Sequence, residues 1–271
     1  MSYPIAMIPY ANMAPFQELG PPPGCHLIDC TPRQSVAALK AGTIWAAAVP
    51  VGGLAQLAGE VDYLGCFGIA ARSEVMSVLF FSDRPFDAFC RPLGLRLSTE
   101  SASSVRLLYL LLGYQHGFER LPFAAGENQP ANGTLLIGDA ALRAAQTVRR
   151  EGAVNGFQII TDLAARWDAH HHLPFVFARW VVRKEAPDDL RAGLSEWLQG
   201  YREREGELIR QAAPRVAARL GLSSDFALRY LKIIRRCLTV EDEAGQERFL
   251  GELRRHMREP LFHPAAERGF A

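Results

Sequence analysis

The chain has 271 residues, 49% of them hydrophobic and 22% charged, which is the composition of an ordinary globular protein with a sizeable core. Its 30 basic and 29 acidic residues leave a formal net charge of +1, so the sequence argues against a nucleic-acid or anionic-membrane partner. It lacks a bilayer-length apolar run and opens without a secretory signal pattern, so we expect a cytoplasmic protein.

The first third of the sequence alternates short apolar runs with helical spacing, which is the order of a βαβ unit. A helix is predicted at residues 32–41, where Thr31 and Pro32 mark the start and Gly42 marks the end. Strands are predicted at residues 3–8, 26–30, 44–49, 61–71 and 75–82.

A second alternation and then a helical region follow. Strands are predicted at residues 93–97 and 135–138, and helices at residues 103–114 and 140–151, which implies a second α/β lobe. After an aromatic strand at residues 173–182 the spacing becomes helical, with helices predicted at 188–212, 214–220, 225–237 and 241–257.

Hydroxyl side chains collect where a predicted strand meets a predicted helix. Ser98, Thr99, Ser101, Ser103 and Ser104 lie there, and a helix N-terminus with free N–H groups attracts anions. Because serine and threonine are also the preferred helix caps, plain capping is the alternative.

Four more polar positions could face a ligand. Tyr10 and Asn12 lie in the turn after the first strand, where α/β sheets place ligand-contacting loops, although a turn asparagine often bonds its own backbone. Asp139 follows Gly138 at a helix start, so it is either a helix cap or a carboxylate available as a base. Ser77 lies in an apolar strand, where its hydroxyl needs a partner or points into a cleft.

The three consecutive histidines His170, His171 and His172 do not predict a metal site. Adjacent side chains project in different directions, whereas zinc ligands are spaced so that they converge.

Five segments, in order along the chain, carry a resemblance to a known family. They are Tyr10-x-Asn12-x-x-Pro15; Val75-x-Ser77-Val78-x-x-x-Ser82; Ser101-x-Ser103-Ser104; Ile137-Gly138-Asp139-Ala140-Ala141-Leu142; and Asp162-Leu163 with Trp167 before Leu173-Pro174-Phe175-Val176-Phe177-Ala178-x-Trp180. In these segments the chain resembles the chorismate dehydratase family of the futalosine route to menaquinone.

The resemblance implies a two-lobed α/β fold of the type II periplasmic-binding-protein kind, with a ligand cleft between the lobes and the C-terminal helices packed on the first lobe. Residues 1–87 and 178–271 are expected to form lobe 1, and residues 88–177 lobe 2. A homodimer contact through the C-terminal helices is left open.

The resemblance also implies a reaction, the loss of water from chorismate to give 3-[(1-carboxyvinyl)oxy]benzoate without metal or organic cofactor. Asn12 and Ser77 match the catalytic pair. The expected substrate contacts are Tyr10, Ser101, Ser103, Ser104, Gly138 and Asp139.

Two parts of this chemistry stay open at the level of sequence. The proton acceptor is either Asp139 or a carboxylate of the substrate itself. Since chorismate is a dianion, a cationic contact is expected for its second carboxylate, from Arg72, Arg84 or Arg179.

Three positions depart from the family pattern. These are Trp45, the pair Ser73-Glu74 and the pair His171-His172. Glu74 matters most, because an unpaired carboxylate near the cleft would repel a dianion. The alternative functions are a cytoplasmic binding protein or sensor for a small carboxylate, and the related 1,4-dihydroxy-6-naphthoate synthase.

Overall fold

The structure is a computed structural model that describes residues 2–126 and 128–265. Its strands, in chain order, are β1 (Tyr3–Met7), β2 (Cys25–Asp29), β3 (Ala46–Pro50), β4 (Val61–Ala71), β5 (Val78–Ser82), β6 (Gly94–Arg96), β7 (Phe123–Ala124), β8 (Gly133–Ile137), β9 (Ile159–Asp162), β10 (Phe175–Arg183) and β11 (Arg235–Cys237). Its α-helices are α1 (Ala14–Glu18), α2 (Pro32–Lys40), α3 (Ser103–His116), α4 (Gly138–Glu151), α5 (Leu163–His171), α6 (Asp188–Leu220), α7 (Ser224–Ile233) and α8 (Val240–His256).

The first sheet has the strand order β11-β4-β10-β3-β1-β2. β1 pairs in parallel with β2 and β3, whereas β10 runs antiparallel between β3 and β4. All five residues of β3 and eight of the nine residues of β10 are buried, as expected for central strands covered on both faces. β1 leads into the turn that carries Tyr10 and Asn12.

The second sheet has the strand order β7-β6-β8-β5-β9. β5 pairs antiparallel with both β8 and β9, and β8 runs directly into α4. The strand predicted at 75–82 begins only at Val78. The residues before it form a turn in which Ser73 and Met76 adopt positive φ angles, so they cannot continue the strand.

The chain crosses between the sheets through residues 72–77 and again through residues 172–174. Arg72 ties these crossings together, since its Nη2 donates to the carbonyl of His172 at 3.3 Å and its Nε lies 3.5 Å from Asp168. Because β5 pairs only within the second sheet, we propose lobe boundaries at these crossings instead of at residues 87 and 177.

α6 runs unbroken for 33 residues, so the predicted break between residues 212 and 214 is wrong. Pro214 removes one backbone hydrogen bond, but Ala212, Ala213, Val216 and Ala217 on either side of it are buried, and this packing holds the helix together.

An aromatic cluster holds α6 against the first sheet. The Phe16 ring lies 5.6 Å from both the Trp180 and Trp197 rings and 4.2 Å from the Tyr201 ring. Trp180 belongs to β10, whereas Trp197 and Tyr201 belong to α6. The C-terminal helices therefore pack on the first lobe, as the resemblance implied.

The predicted helix at 225–237 is wrong in its last part. α7 ends at Ile233, and β11 follows and pairs antiparallel with β4. Pairing with β4 buries the Arg236 side chain between the half-buried Arg235 and Cys237, an alternation that only a strand produces. β9 and α5 were not predicted. No helix among residues 2–126 and 128–265 is long and apolar enough to cross a bilayer.

Candidate functional site

One cleft is lined by residues from both lobes. Seven of the eight predicted site residues lie on its wall, namely Tyr10, Asn12, Ser77, Ser101, Ser103, Ser104 and Gly138. The rest of the lining is apolar, and it consists of Ile8, Pro32, Pro50, Ile69, Val75, Val78, Ile137, Phe177 and Ala178. Within the described part of the chain, no charged side chain lines this cleft.

The Asn12 side chain is free to meet a ligand. Its Oδ1 is buried and accepts no hydrogen bond from any described residue, so the interpretation as a self-bonded turn asparagine is wrong. The backbone around it is held from two sides. The Ala11 N–H donates to Asp139 at 2.8 Å, and Arg236 Nε donates to the Asn12 carbonyl at 2.9 Å. An unpaired buried amide oxygen is costly, which makes this atom a strong candidate for ligand contact.

Ser77 is fixed by the turn that precedes β5. The Asp162 carboxylate accepts the N–H groups of Val75 and Met76 at 2.9 and 2.8 Å, and the Ser77 carbonyl accepts from Gly138 N–H at 2.7 Å. Ser77 is 3% exposed, and its hydroxyl donates only a long bond of 3.3 Å, to the Val75 carbonyl. This hydroxyl can therefore turn to a ligand at little cost.

The three serines at the start of α3 do different things. Ser101 Oγ accepts the Ser104 N–H at 2.9 Å, which confirms the capping interpretation for that residue. Ser103 Oγ accepts from Gly52 N–H at 2.9 Å and donates to the Phe177 carbonyl at 3.1 Å, so it joins the two lobes. The Ser104 hydroxyl makes no hydrogen bond to the described residues, and it is the one best placed to meet a carboxylate.

Tyr10 closes one side of the cleft. Its hydroxyl donates to the carboxylate of Glu100 in the opposite lobe. Burial, helped by Glu100, raises the pKa of the Tyr10 phenol well above its ordinary value, so the ring stays neutral. The ring lies against Gly138, where a Cβ atom would come within 2.9 Å of it and where φ is +57°. Glycine is needed there for both reasons.

Asp139 does not line the cleft. Its Oδ1 accepts the Ala11 N–H, and its Oδ2 accepts from Arg219 Nη1 at 2.5 Å. The N-cap of α4 is Ile137 and no side chain caps the helix, so the interpretation of Asp139 as a helix cap is wrong. Its carboxylate instead links α4 to the Asn12 turn and to α6.

The departures from the family pattern all lie away from the cleft wall. Glu74 pairs with Arg229 at 2.6 Å, so its charge is compensated. Trp45 packs edge-on against Tyr3, with the ring centroids 6.1 Å apart. His171 packs against Trp167, and burial lowers the pKa of its imidazole to about 4.

None of the three arginines considered for the second carboxylate lines the cleft. Arg72 pairs with Glu241 and Asp168, and Arg84 pairs with Asp83. Arg179 is buried beneath the Tyr63 ring, 4.3 Å from its centroid.

Two buried polar residues behind the cleft were missed in the sequence. The Tyr230 hydroxyl is fully buried beside Ser77 without a well-aligned hydrogen-bond partner in the described chain, and burial raises the pKa of this phenol. Arg236 is 0% exposed and supports the Asn12 carbonyl. The run Ile-Ile-Arg-Arg-Cys-Leu around Arg236 lacks the alternation of apolar and polar residues that would have indicated a strand, so no local signal marked it.

Comparison with known proteins places the chain in a family. A family model described as menaquinone biosynthesis matches residues 3–255. The chain belongs to the menaquinone biosynthesis family. A curated relative, the chorismate dehydratase of Thermus thermophilus, is 29% identical over 273 residues, covering 97% of this chain and 98% of the relative.

Solved structures share the architecture of this chain. A protein of Archaeoglobus fulgidus superposes with a TM-score of 0.67 at 12% identity, covering 94% of this chain and 97% of the other. The periplasmic aliphatic sulphonate-binding protein SsuA of Escherichia coli superposes with a TM-score of 0.62 at 14% identity, covering 94% and 92%. The predicted two-lobed, periplasmic-binding-protein-like fold is confirmed.

Proposed function

We propose that the protein removes water from chorismate to give 3-[(1-carboxyvinyl)oxy]benzoate, as a step of menaquinone biosynthesis. The observation that carries this proposal is the Asn12 Oδ1, a buried acceptor without a partner, on the same cleft wall as the weakly bonded Ser77 hydroxyl. The name of the Thermus thermophilus relative supports the choice of substrate.

The reaction depends more on the orientation of the substrate than on a strongly reactive protein group. The hydrogen on the ring carbon that bears the enolpyruvyl ether leaves as a proton, the hydroxyl on the adjacent ring carbon leaves with its bonding pair, and the two combine to form water. The electrons of the C–H bond complete an aromatic ring, which supplies the driving force. The protein is therefore required to orient the ring and to guide the proton and the hydroxyl.

Asn12 and Ser77 are the groups that orient the departing hydroxyl. The Asn12 amide offers both a donor and an acceptor, and the Ser77 hydroxyl can donate to the leaving oxygen. The apolar wall contacts the ring, and Ser104 at the start of α3 meets a carboxylate with the helix dipole behind it.

The structure favours the substrate's own carboxylate as the proton acceptor. Asp139 is held by Ala11 and Arg219 and lies off the cleft wall. A substrate carboxylate in a mostly apolar cleft is poorly solvated, which raises its proton affinity. It can therefore take the ring proton and pass it to the leaving hydroxyl.

Turnover of chorismate by the purified protein tests the proposal. We expect a product lighter by one water, and at least about a 100-fold loss of kcat/KM in Asn12→Asp and in Ser77→Ala, the usual scale for removing a group that positions a proton transfer. Ser195→Ala, on an exposed position of α6, is the matched control and keeps full activity.

Two results would contradict the proposal. Tight binding of chorismate without conversion would identify a binding protein or sensor. Undiminished conversion of chorismate by both the Asn12→Asp and the Ser77→Ala variants would show that the reaction does not take place in this cleft.

A further inference from the structure

The described lining of the cleft does not supply the positive charge that a dianionic ligand needs. The ligand of the proposed function carries two carboxylates, yet the described lining residues include no cation. Hydroxyls and a helix N-terminus stabilise one carboxylate, but two negative charges in a partly apolar cleft need a full positive charge nearby.

Arg236 is a buried arginine behind the Asn12 turn. Its Nε donates to the Asn12 carbonyl at 2.9 Å, and its Nη1 donates to the carbonyls of Leu231 and Ile234, both at 3.0 Å. Its Nη2 is buried and donates to no described residue. All three of its hydrogen-bond acceptors are neutral, so the guanidinium charge is not cancelled by them.

No carboxylate of the described chain lies within 4.0 Å of the Arg236 guanidinium. Glu205 lies beyond Tyr201 and accepts from its hydroxyl at 2.8 Å, and Asp139 pairs with Arg219. A guanidinium stays protonated at any physiological pH, so this charge is permanent. A buried charge without a counter-ion costs free energy, and an anion in the adjacent cleft would offset that cost.

We propose that Arg236 is a positioning residue that makes the cleft selective for ligands with two carboxylates. Its permanent charge attracts the dianion from behind the Asn12 turn, and its Nε holds that turn in place. Both effects are exerted without contact between Arg236 and the ligand. The inference deepens the proposed function and rests on it for the identity of the ligand.

Ligands that share one ring scaffold but differ in charge test this proposal. Binding of 3-(carboxymethoxy)benzoate, 3-methoxybenzoate and 3-methoxybenzamide, with two, one and no carboxylates, is measured by calorimetry at fixed salt. In Arg236→Met we expect affinity to fall on the order of tenfold more for each carboxylate that the ligand carries. Loss of the Nε bond to the Asn12 turn adds one factor common to all three ligands, which the amide alone measures. A purely structural role would weaken all three ligands by one common factor.

Two further variants keep the test decisive. Lys232→Met removes an exposed cation four residues away and is expected to bind every ligand as the wild type does. Arg236→Lys keeps the charge but loses the fork of donors, so its affinities should still rise with the number of carboxylates, as in the wild type, while kcat falls. If Arg236→Met does not fold, as judged by circular dichroism and cooperative unfolding, the lysine variant carries the test.

The inference and the proposed function fail in different ways. Equal loss for all three ligands in Arg236→Met, or loss of the charge dependence in Arg236→Lys, would overturn the role of Arg236 while leaving chorismate turnover by the wild type intact. A wild type that neither turns over chorismate nor binds the dianion more tightly than the amide would overturn both.

Discussion

At the scale of single residues, variants of Asp139 test whether this carboxylate or the substrate's own carboxylate accepts the ring proton. Its carboxylate accepts from Ala11 N–H and from Arg219, which makes it part of the support for the Asn12 turn. Asp139→Asn removes the ion pair, so we expect the free energy of unfolding to fall by about 1 kcal/mol, because Arg219 is half exposed. We expect kcat to fall while the acidic limb of the pH-rate profile stays in place.

Arg219→Gln breaks the same ion pair from the other side and is the matched variant. A similar fall in kcat in both variants supports the positioning role. Loss of the acidic limb in Asp139→Asn, with full activity in Arg219→Gln, would show that Asp139 is the base.

Gly138 gives a second test at this scale. A Cβ atom there would approach the Tyr10 ring to 2.9 Å at a φ of +57°. At the other end of α4, Gly152 has a φ of +83° and open space around its Cβ position. We expect Gly152→Ala to cost about 1 kcal/mol of unfolding free energy from backbone strain, and Gly138→Ala about 3 kcal/mol, because it adds a steric clash.

Thermal and urea unfolding of the two glycine variants measure the difference, and chorismate turnover is followed alongside. Turnover should fall in Gly138→Ala only. Equal destabilisation of the two variants would mean that the ring of Tyr10 does not rest on Gly138.

The family resemblance located much of the candidate site, because residue types alone left a turn role for Asn12 and a backbone-bonded role for Ser77 open. Tyr10, Asn12 and Ser77 do line one cleft. Asp139 was misjudged because a residue at a helix start resembles a cap, whereas its actual partner, Ala11, is 128 residues away. Arg236 and Tyr230 were missed because burial of a polar side chain depends on packing that local sequence does not encode.

At the scale of elements, Pro214 interrupts the hydrogen bonding of α6 without ending the helix. Its side chain is exposed, so replacing it removes little packing. Pro214→Ala restores a backbone donor within the helix, and we expect the free energy of unfolding to rise by about 1–3 kcal/mol. Denaturant unfolding measures the change, with Gln211→Ala on the same helix as the control. A loss of stability in Pro214→Ala would show that the proline is needed for the path of α6.

The elements were predictable where local signals and packing agree. Thr31 and Pro32 begin α2 with a complete capping box, and the 11 residues of β4 coincide with the predicted run. The failures are cases in which tertiary packing outweighs local signals. Burial on both sides of Pro214 keeps α6 continuous, and pairing with β4 makes Arg235–Cys237 a strand after α7.

At the scale of the whole molecule, the lobes are joined around the cleft by several contacts. Ser103 bridges to Gly52 and Phe177, Tyr10 donates to Glu100, and the Ala11 N–H donates to Asp139 across the gap. These hydrogen bonds hold the two lobes together around the cleft. In a closed cleft water is restricted and electrostatic interactions are strong. A homodimer through the C-terminal helices remains a prediction.

A crystal structure with 3-[(1-carboxyvinyl)oxy]benzoate bound tests the central claim most directly. We expect the ring against Phe177, a hydrogen bond from the Asn12 amide or the Ser77 hydroxyl to the side of the ring that lost its hydroxyl, and one carboxylate at Ser104. A benzoate bound elsewhere, with the cleft between Asn12 and Ser77 left open, would contradict the account.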